Sequence, residues 1–195
     1  KQADVLMLFY LFSSEELAEL FAQLDYPFEP EMIPRTIDYY LQRTSNGSTL
    51  SQIVHAWVLA RSDRPRSWEL LKEALESDIA DVQGGTTPEG IHLGAMAGTV
   101  DIVQRGQTGV ETYGDRLRLN PCLADELHGL RMRLRYRGHW LELHINGDRM
   151  TIEAPNGWSG PEEIIIWEQT FAFGSGHRLD LRRDPEAICR QVNAF

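Results

Sequence analysis

Cysteine is scarce in this sequence, which has only Cys122 and Cys189 among its 195 residues. Two cysteines without metal-ligand spacing indicate neither a disulfide framework nor a zinc module, so we expect ordinary thiols in a reducing compartment. Long apolar runs are also lacking, since none reaches the ~18 residues of a membrane-spanning helix. No signal-peptide pattern is found. These gaps predict a cytoplasmic protein with no membrane partner.

Positive charge is also in short supply. The chain has 19 Lys and Arg residues against 29 Asp and Glu residues, which gives a formal net charge of −10. Nucleic acid is therefore not expected as a partner, because binding to its phosphate backbone requires a basic surface. A single pocket with local hydrogen-bond donors can still bind a small anion.

The hydrophobic pattern changes partway along the chain. Hydrophobic residues make up 42% of it, which is enough to build a core. Over the first ~110 residues apolar side chains recur with the period of a helix, and after them they alternate as in strands. The sequence therefore predicts helices followed by an antiparallel β-sheet domain of the sandwich type, with the boundary between Gly109 and Glu111.

The strand half contains two local signals. Alternating arginines between residues 131 and 135 occupy one side of a predicted strand, and we interpret them as a solvated face paired with acids such as Glu142 rather than as a polyanion site. Asn146-Gly147 predicts a two-residue hairpin turn in which both residues adopt positive φ.

The most informative segment of the helical half is VQGGTTPEGIHLGAMAG. Thr87 and Pro88 stand as an N-cap and the first position of a helix would, so we predict that a helix begins there. Its free amides and positive dipole end would form an anion site. Gly90 would permit close backbone approach, and His92 would donate to a phosphate oxygen. Glycine-rich helix starts are common, however, and many of them serve packing alone.

Gly94 and Gly98 have a different interpretation. Together with Gly90 they recur at every fourth residue, and this spacing is typical of a close crossing between two helices. We therefore interpret Gly94 and Gly98 as packing residues and keep Gly90 in the candidate anion site.

The segment SNGSTLS is a second candidate for anion binding. Ser48 and Thr49 stand at the start of a predicted helix, where hydroxyls and unpaired amides can hold an anion. A plain N-cap explains the same residues equally well. His55, among apolar residues of this helix, is interpreted as a core histidine with its hydrogen bonds satisfied.

Three separated motifs resemble one known family. KQADVLML, NGSTLS followed by HAWVLAR, and DVQGGTTPEGIHLGAMAGTVDIVQRG are similar to stretches of glycoside hydrolase family 65. That family contains maltose, kojibiose, nigerose and trehalose phosphorylases together with some hydrolases. The similarity runs from Lys1 to about Tyr136, continues through LRYRGHWLELHI and fades beyond about Ala154.

The resemblance implies a fold. Family members have an N-terminal β-sandwich, an (α/α)6 barrel and a small C-terminal β-sheet domain. We therefore expect residues 1–109 to be the C-terminal helices of the barrel, residues 110–182 to be the β-sheet domain and residues 183–195 to be a tail. Because the chain begins with Lys1 rather than Met, we expect a fragment whose partner is the rest of the barrel. The family also suggests a homodimer.

The resemblance also implies residue roles. The family's Lys-Gln pair, matched by Lys1 and Gln2, contacts the glucosyl unit that is transferred. The family's phosphate-binding positions are matched by Ser48, Thr49, Gly90 and His92. Asn46 and Thr49 stand where many members have His and Ser; Thr49 keeps the hydroxyl, whereas Asn46 changes the surroundings of the site. The family's general acid is a glutamate upstream of the Lys-Gln pair, so no catalytic residue is expected in this chain.

The implied reaction converts an α-linked glucose disaccharide and phosphate to β-glucose 1-phosphate and a released acceptor. Phosphate replaces the water and the base of an inverting hydrolase, so one acid and one anion pocket suffice. Inorganic phosphate is the expected co-substrate, with no cofactor and no metal. Two alternatives remain: a hydrolase of the acid-trehalase type, with Glu89 as the nearest candidate base, and a non-catalytic carbohydrate-binding or structural module.

We predict that the isolated 195-residue chain has no phosphorylase or hydrolase activity. General acid catalysis typically contributes ~10²–10⁴-fold, and the expected acid lies outside the chain. The measurement is sugar release from maltose, kojibiose and trehalose, with and without phosphate. Robust turnover of any of these sugars by the pure chain would contradict the expectation that the general acid lies outside it.

Overall fold

The computed structural model describes residues 4–44, 48–60, 62–81, 84–85, 88, 90–113 and 115–184. The chain forms two compact units, the first ending at Gly106 and the second beginning at Gln107. Helices occupy the first unit and strands the second, as the change in hydrophobic period predicts.

Within the described residues the first unit contains six α-helices. They are α1 (Met7–Leu11), α2 (Ser14–Gln23), α3 (Met32–Leu41), α4 (Thr49–Leu59), α5 (Arg64–Glu76) and α6 (Leu93–Asp101). A π-helix, Ile102–Gln107, follows α6. Local caps explain two of the starts: Ser13 and Glu16 form a reciprocal capping box before α2, and the Asp63 carboxylate accepts the Arg66 amide before α5.

Helix α4 is the centre of this unit. Nearly all of its residues are buried, and Trp57 is only 1% exposed. A helix that is apolar on all sides is stable only when neighbours cover every side. Helices α1, α5 and α6 pack against it and share a hydrophobic core with it.

Two neighbours have defined directions relative to α4. Helix α5 is antiparallel to it, because Ser67 Oγ donates to the Ala56 carbonyl at 2.5 Å, whereas Gln52, earlier in α4, donates to Glu73, later in α5, at 3.2 Å. Antiparallel packing places the end of α5 beside the start of α4.

Helix α6 runs parallel to α4 and crosses it closely. A Cβ atom added at Gly98 would clash with Ile53 Cγ2, and one added at Gly94 would lie 3.8 Å from the end of Leu50. The earlier glycine lies near the earlier residue of α4 and the later glycine near the later one, so the two helices run in the same direction. The interpretation as a packing residue is confirmed for Gly98, whereas a side chain at Gly94 would make only ordinary contact with Leu50, so the crossing does not require glycine there.

The second unit contains two four-stranded sheets. One has the order β1 (Glu111–Tyr113), β2 (Arg116–Leu119), β6 (Glu163–Ile166) and β7 (Gln169–Ala172); the other has the order β3 (Leu130–Tyr136), β4 (His139–Asn146), β5 (Arg149–Glu153) and β8 (Arg178–Arg182). Apolar residues of both sheets form one buried cluster, as in a sandwich. The prediction of purely antiparallel strands is wrong at one place, where β2 pairs with β6 in parallel.

The predicted hairpin turn is displaced by one residue. Asn146 pairs with Arg149, so the loop consists of Gly147 and Asp148. Only Gly147 has positive φ, 58°, which fits a turn with glycine first rather than one with two left-handed residues. That second kind of turn occurs instead at Arg137 and Gly138, with φ of 48° and 87°.

Two expectations about side chains in this unit have different outcomes. The three arginines are exposed, and Arg133 lies 3.5 Å from Glu142 across the β3–β4 pair, so the solvated face and this one pairing are confirmed. His144 and Trp140, not acids, stand opposite Arg131 and Arg135. The expectation of free thiols is wrong for Cys122, which is disulfide-bonded. No sequence signal at Cys122 indicates this bond, and Cys189 lies outside the described residues.

The α4–α6 crossing predicts opposite outcomes for its two glycines. Gly98→Ala should destabilise the helical unit by about 1–3 kcal/mol, because the methyl group would overlap the β-branched Ile53 side chain. Gly94→Ala is the matched control and should be neutral or stabilising by up to about 1 kcal/mol, because alanine favours helix and meets only ordinary contact. Urea unfolding followed by circular dichroism measures both. Equal midpoints for the two variants would contradict the crossing.

Candidate phosphate site

The residues assigned to phosphate binding all lie in the helical unit. Ser48, Thr49, Gly90 and His92 are described there, whereas Lys1 and Gln2, assigned to the glucosyl unit, lie outside the described residues. The same is true of Asn46, Thr87 and Glu89.

The starts of α4 and α6 lie at the same end of a parallel helix pair. Leu50, the second residue of α4, is the neighbour of Gly94, the second residue of α6. Ser48 and His92 occupy the N-cap positions of the two helices. Helix starts carry positive dipole ends and amides that have no acceptor within the helix, although here the His92 and Leu93 amides already donate to Asp78 and to the Ile91 carbonyl. Whether the four assigned residues share one phosphate stays a prediction.

Ser48 does not behave as a plain N-cap. Its backbone is extended, with φ −136° and ψ 132°, but its side chain makes no capping hydrogen bond to α4. The Ser48 hydroxyl is therefore not engaged by the amides of its own helix. Thr49 is only 4% exposed, so Ser48 is the more accessible of the two hydroxyl residues.

Pro88 lies in a 3₁₀ turn, but the α-helix α6 begins only at Leu93, so the predicted α-helix start at Pro88 is wrong. Gly90 explains the difference, because its φ of +100° is incompatible with a right-handed helix. A Cβ at Gly90 would meet no atom within 4 Å, so its backbone conformation rather than crowding favours glycine. His92 consequently stands immediately before the helix instead of within its first turn.

Asp78 holds His92 by two hydrogen bonds. One carboxylate oxygen lies 2.5 Å from His92 Nδ1, and the other accepts the His92 backbone N–H at 3.1 Å. The hydrogen bond from the His92 ring lowers the pKa of the Asp78 carboxyl below its ordinary value. The Asp78 side chain is 11% exposed and that of His92 28%. No sequence signal identifies Asp78, because its distance from His92 along the chain matches no known motif.

A second aspartate shapes the glycine-rich segment. Asp81 accepts the Gly85 N–H on its side chain at 2.6 Å and the Gly84 N–H on its carbonyl at 3.0 Å. Gly84 and Gly85 both have positive φ, 72° and 100°. Aspartate commonly accepts nearby backbone amides in this way, so Asp81 holds the two glycine amides in place.

His55 differs from the expectation of a satisfied core histidine. It is 2% exposed, and its Nε2 atom makes no hydrogen bond to any described residue. Burial lowers the pKa of His55 below its ordinary value, and the positive charge of Arg66 acts in the same direction. His55 is therefore held in its neutral form inside the helical core.

The described ranges contain neither a candidate metal cluster nor a helix that could span a membrane. No group of three His, Cys, Asp or Glu side chains in them is placed to hold a metal ion. No helix among the described residues combines the length and the apolar character that crossing a membrane requires.

Comparison with protein families identifies both halves of the chain. The glycosyl hydrolase family 65 central catalytic domain matches residues 1–101, and the C-terminal domain of the same family matches residues 110–171. The chain belongs to glycosyl hydrolase family 65.

Its relatives include several phosphorylases. An uncharacterized glycosyl hydrolase of Mycobacterium tuberculosis is 50% identical over 93% of this chain and 14% of its own length. Trehalose 6-phosphate phosphorylase of Lactococcus lactis is 34% identical over 79% of this chain and 20% of its own length. Kojibiose phosphorylase of Caldanaerobacter subterraneus is 29% identical over 80% of this chain and 19% of its own length. This chain therefore spans a small part of each relative.

A solved structure shares the fold. It belongs to a human-microbiome protein described as a candidate kojibiose phosphorylase, and it matches with a TM-score of 0.74 at 21% identity. The match covers 94% of this chain and 22% of that chain. At this level of identity the comparison shows the fold alone.

The buried His55 predicts an acid-sensitive helical unit. Its pKa is lower in the folded state, so its contribution to stability is complete above the ordinary value of ~6.5 and is lost as the pH falls through the folded-state pKa. His55→Gln should flatten this part of the pH dependence. The measurement is the urea midpoint between pH 5 and 8, with the exposed His144→Gln as control. Parallel pH profiles for wild type and His55→Gln would contradict the assignment.

Proposed function

We propose that this chain is part of an inverting α-glucoside phosphorylase and supplies its phosphate site and part of its glucose subsite. The parallel pairing of α4 and α6 is the observation that carries the proposal, because it brings two helix starts, with Ser48 and His92 at their N-cap positions, to one end of the pair. The named phosphorylases among the relatives support it. Inorganic phosphate is the co-substrate in this proposal, and no cofactor takes part.

The proposed chemistry depends on holding phosphate in line with the anomeric carbon. One phosphate oxygen attacks that carbon while a general acid from the remainder of the protein protonates the leaving sugar oxygen. Orienting the nucleophile in this way removes a large part of the barrier, on the order of several kcal/mol. The donors assigned to the phosphate oxygens are the Ser48 hydroxyl, the His92 ring and the amides at the two helix starts.

We further propose that the helical unit completes its surface against the rest of an (α/α)6 barrel. Near the two helix starts, Leu93 is 77% exposed and Leu50 is 52% exposed, and Val100 farther along α6 is 64% exposed. An apolar face of this kind is normally covered by another element. Lys1 and Gln2 are proposed to contact the glucosyl unit on the strength of the family resemblance.

A hydrolase of the same family is the second candidate. The Mycobacterium tuberculosis relative, at 50% identity, is described as a glycosyl hydrolase. Hydrolysis would need a carboxylate base that activates water in place of phosphate, and Glu89 is the nearest candidate.

Phosphate dependence distinguishes the two candidates. The full-length enzyme is incubated with maltose, kojibiose, trehalose and trehalose 6-phosphate, with and without inorganic phosphate. The proposal expects β-glucose 1-phosphate to form from at least one of these sugars, and only when phosphate is present. Release of free glucose at the same rate without phosphate would establish the hydrolase instead.

His92→Ala should raise the phosphate KM of the full-length enzyme by about 10–100-fold, since a hydrogen bond to a charged group is worth ~1.5–3 kcal/mol. The KM for the sugar acceptor in the reverse direction should change much less. His128→Ala is the control, because this exposed histidine lies in the other unit. Equal effects of His92→Ala on phosphate and on the acceptor would indicate a packing role.

A further inference from the structure

We infer that Asp78 is a positioning residue for His92: it holds the ring so that Nε2 faces the common end of α4 and α6. The inference concerns the same site as the proposed function and rests on it for the identity of the ligand. The orientation of the ring itself can be tested without any ligand.

The geometry of the pair is the first step. One carboxylate binds the ring of His92 at Nδ1, at 2.5 Å, and the backbone N–H of the same residue, at 3.1 Å. A bond to the backbone alone would leave the ring free to rotate, and a bond to the ring alone would leave the main chain free to move. The two bonds together fix the Cα position and the ring plane.

The tautomer follows from this contact. An ionised carboxylate only accepts hydrogen bonds, so Nδ1 must carry the proton. The nitrogen left for a ligand is Nε2, and the hydrogen bond at the other ring nitrogen decides this. When the ring is protonated, Nε2–H becomes a donor to an anion, and Asp78 balances the positive charge of the ring.

The origin of Asp78 places it at the right end of the helices. It follows α5 by two residues, directly after Ser77, which is fully buried and donates to the Ala74 carbonyl at 2.8 Å. Because α5 is antiparallel to α4, its end lies at the level where α4 starts. Asp78 therefore lies close to the end of α5, next to the anchored Ser77, and its carboxylate does not depend on a long loop to contact His92.

The competing explanation is purely structural, with Asp78 serving only to fix the main chain before α6. Asp78→Asn separates the two explanations. Its side-chain oxygen can still accept one hydrogen bond, but the negative charge that favours a proton on Nδ1 is removed. Asp81→Asn is the matched control, because Asp81 shapes the same segment through the amides of Gly84 and Gly85.

The first measurement uses the 195-residue chain with ¹⁵N-labelled histidine. Long-range ¹H–¹⁵N correlation spectra at a pH where the ring is neutral should show His92 protonated at Nδ1, in contrast to an exposed histidine such as His144. Asp78→Asn should shift His92 towards the Nε2-protonated form, and Asp81→Asn should leave it unchanged. A wild-type His92 protonated at Nε2, or a tautomer that Asp78→Asn leaves unchanged, would overturn the inference.

The second measurement uses the full-length enzyme. Asp78→Asn should raise the phosphate KM by ~10-fold or more, while kcat at saturating phosphate changes little. The expected size follows from metal sites, where mutating a carboxylate that orients a metal-bound histidine typically weakens metal binding ~10–100-fold. A lower kcat with an unchanged phosphate KM would overturn the positioning role. Activity without any phosphate dependence would overturn the proposed function, and the tautomer of His92 would then decide the inference by itself.

Discussion

The close crossing of α4 and α6 is the constraint on which the arrangement of the candidate site depends. It requires a residue without a side chain at Gly98, because any Cβ there would meet Ile53. With this contact in place, the two helices run side by side in the same direction. Residues more than 40 positions apart, such as Ser48 and His92, can then begin neighbouring helices at one end of the unit. Packing inside the core thereby determines which polar groups can meet at the surface.

The electrostatic character of this end is mixed. Two helix starts contribute positive dipole ends, whereas the end of α5 and the Asp78 carboxylate contribute negative charge. The Asp78 carboxylate is hydrogen-bonded to the His92 ring, and a protonated ring would balance its charge beside an incoming anion. This pairing reconciles an acidic protein, with a net charge of −10, with a candidate site for phosphate.

Sequence patterns predicted those features that depend on periodic or local signals. The helical and strand halves follow from hydrophobic period, and the packing role of Gly98 follows from the spacing of three glycines. The capping signal of Thr87 and Pro88 misplaces the start of α6, because the positive φ of Gly90, which delays the α-helix, is a backbone feature that the capping signal does not contain. Asp78 could not be found, since its role arises only when helix packing brings the end of α5 to His92. The parallel pairing of β2 with β6 is likewise a tertiary feature.

The hydrogen-bonded pair of Asp78 and His92 joins residues 14 positions apart, so it closes the intervening chain into a loop. The entropic free-energy cost of closing such a loop grows only with the logarithm of its length, by about 0.6 kcal/mol for each doubling. The segment between the two residues can therefore gain or lose a few residues at little energetic cost. Changes in the length of this segment can therefore alter the surface beside the helix starts during evolution, while Asp78 and His92 stay in place.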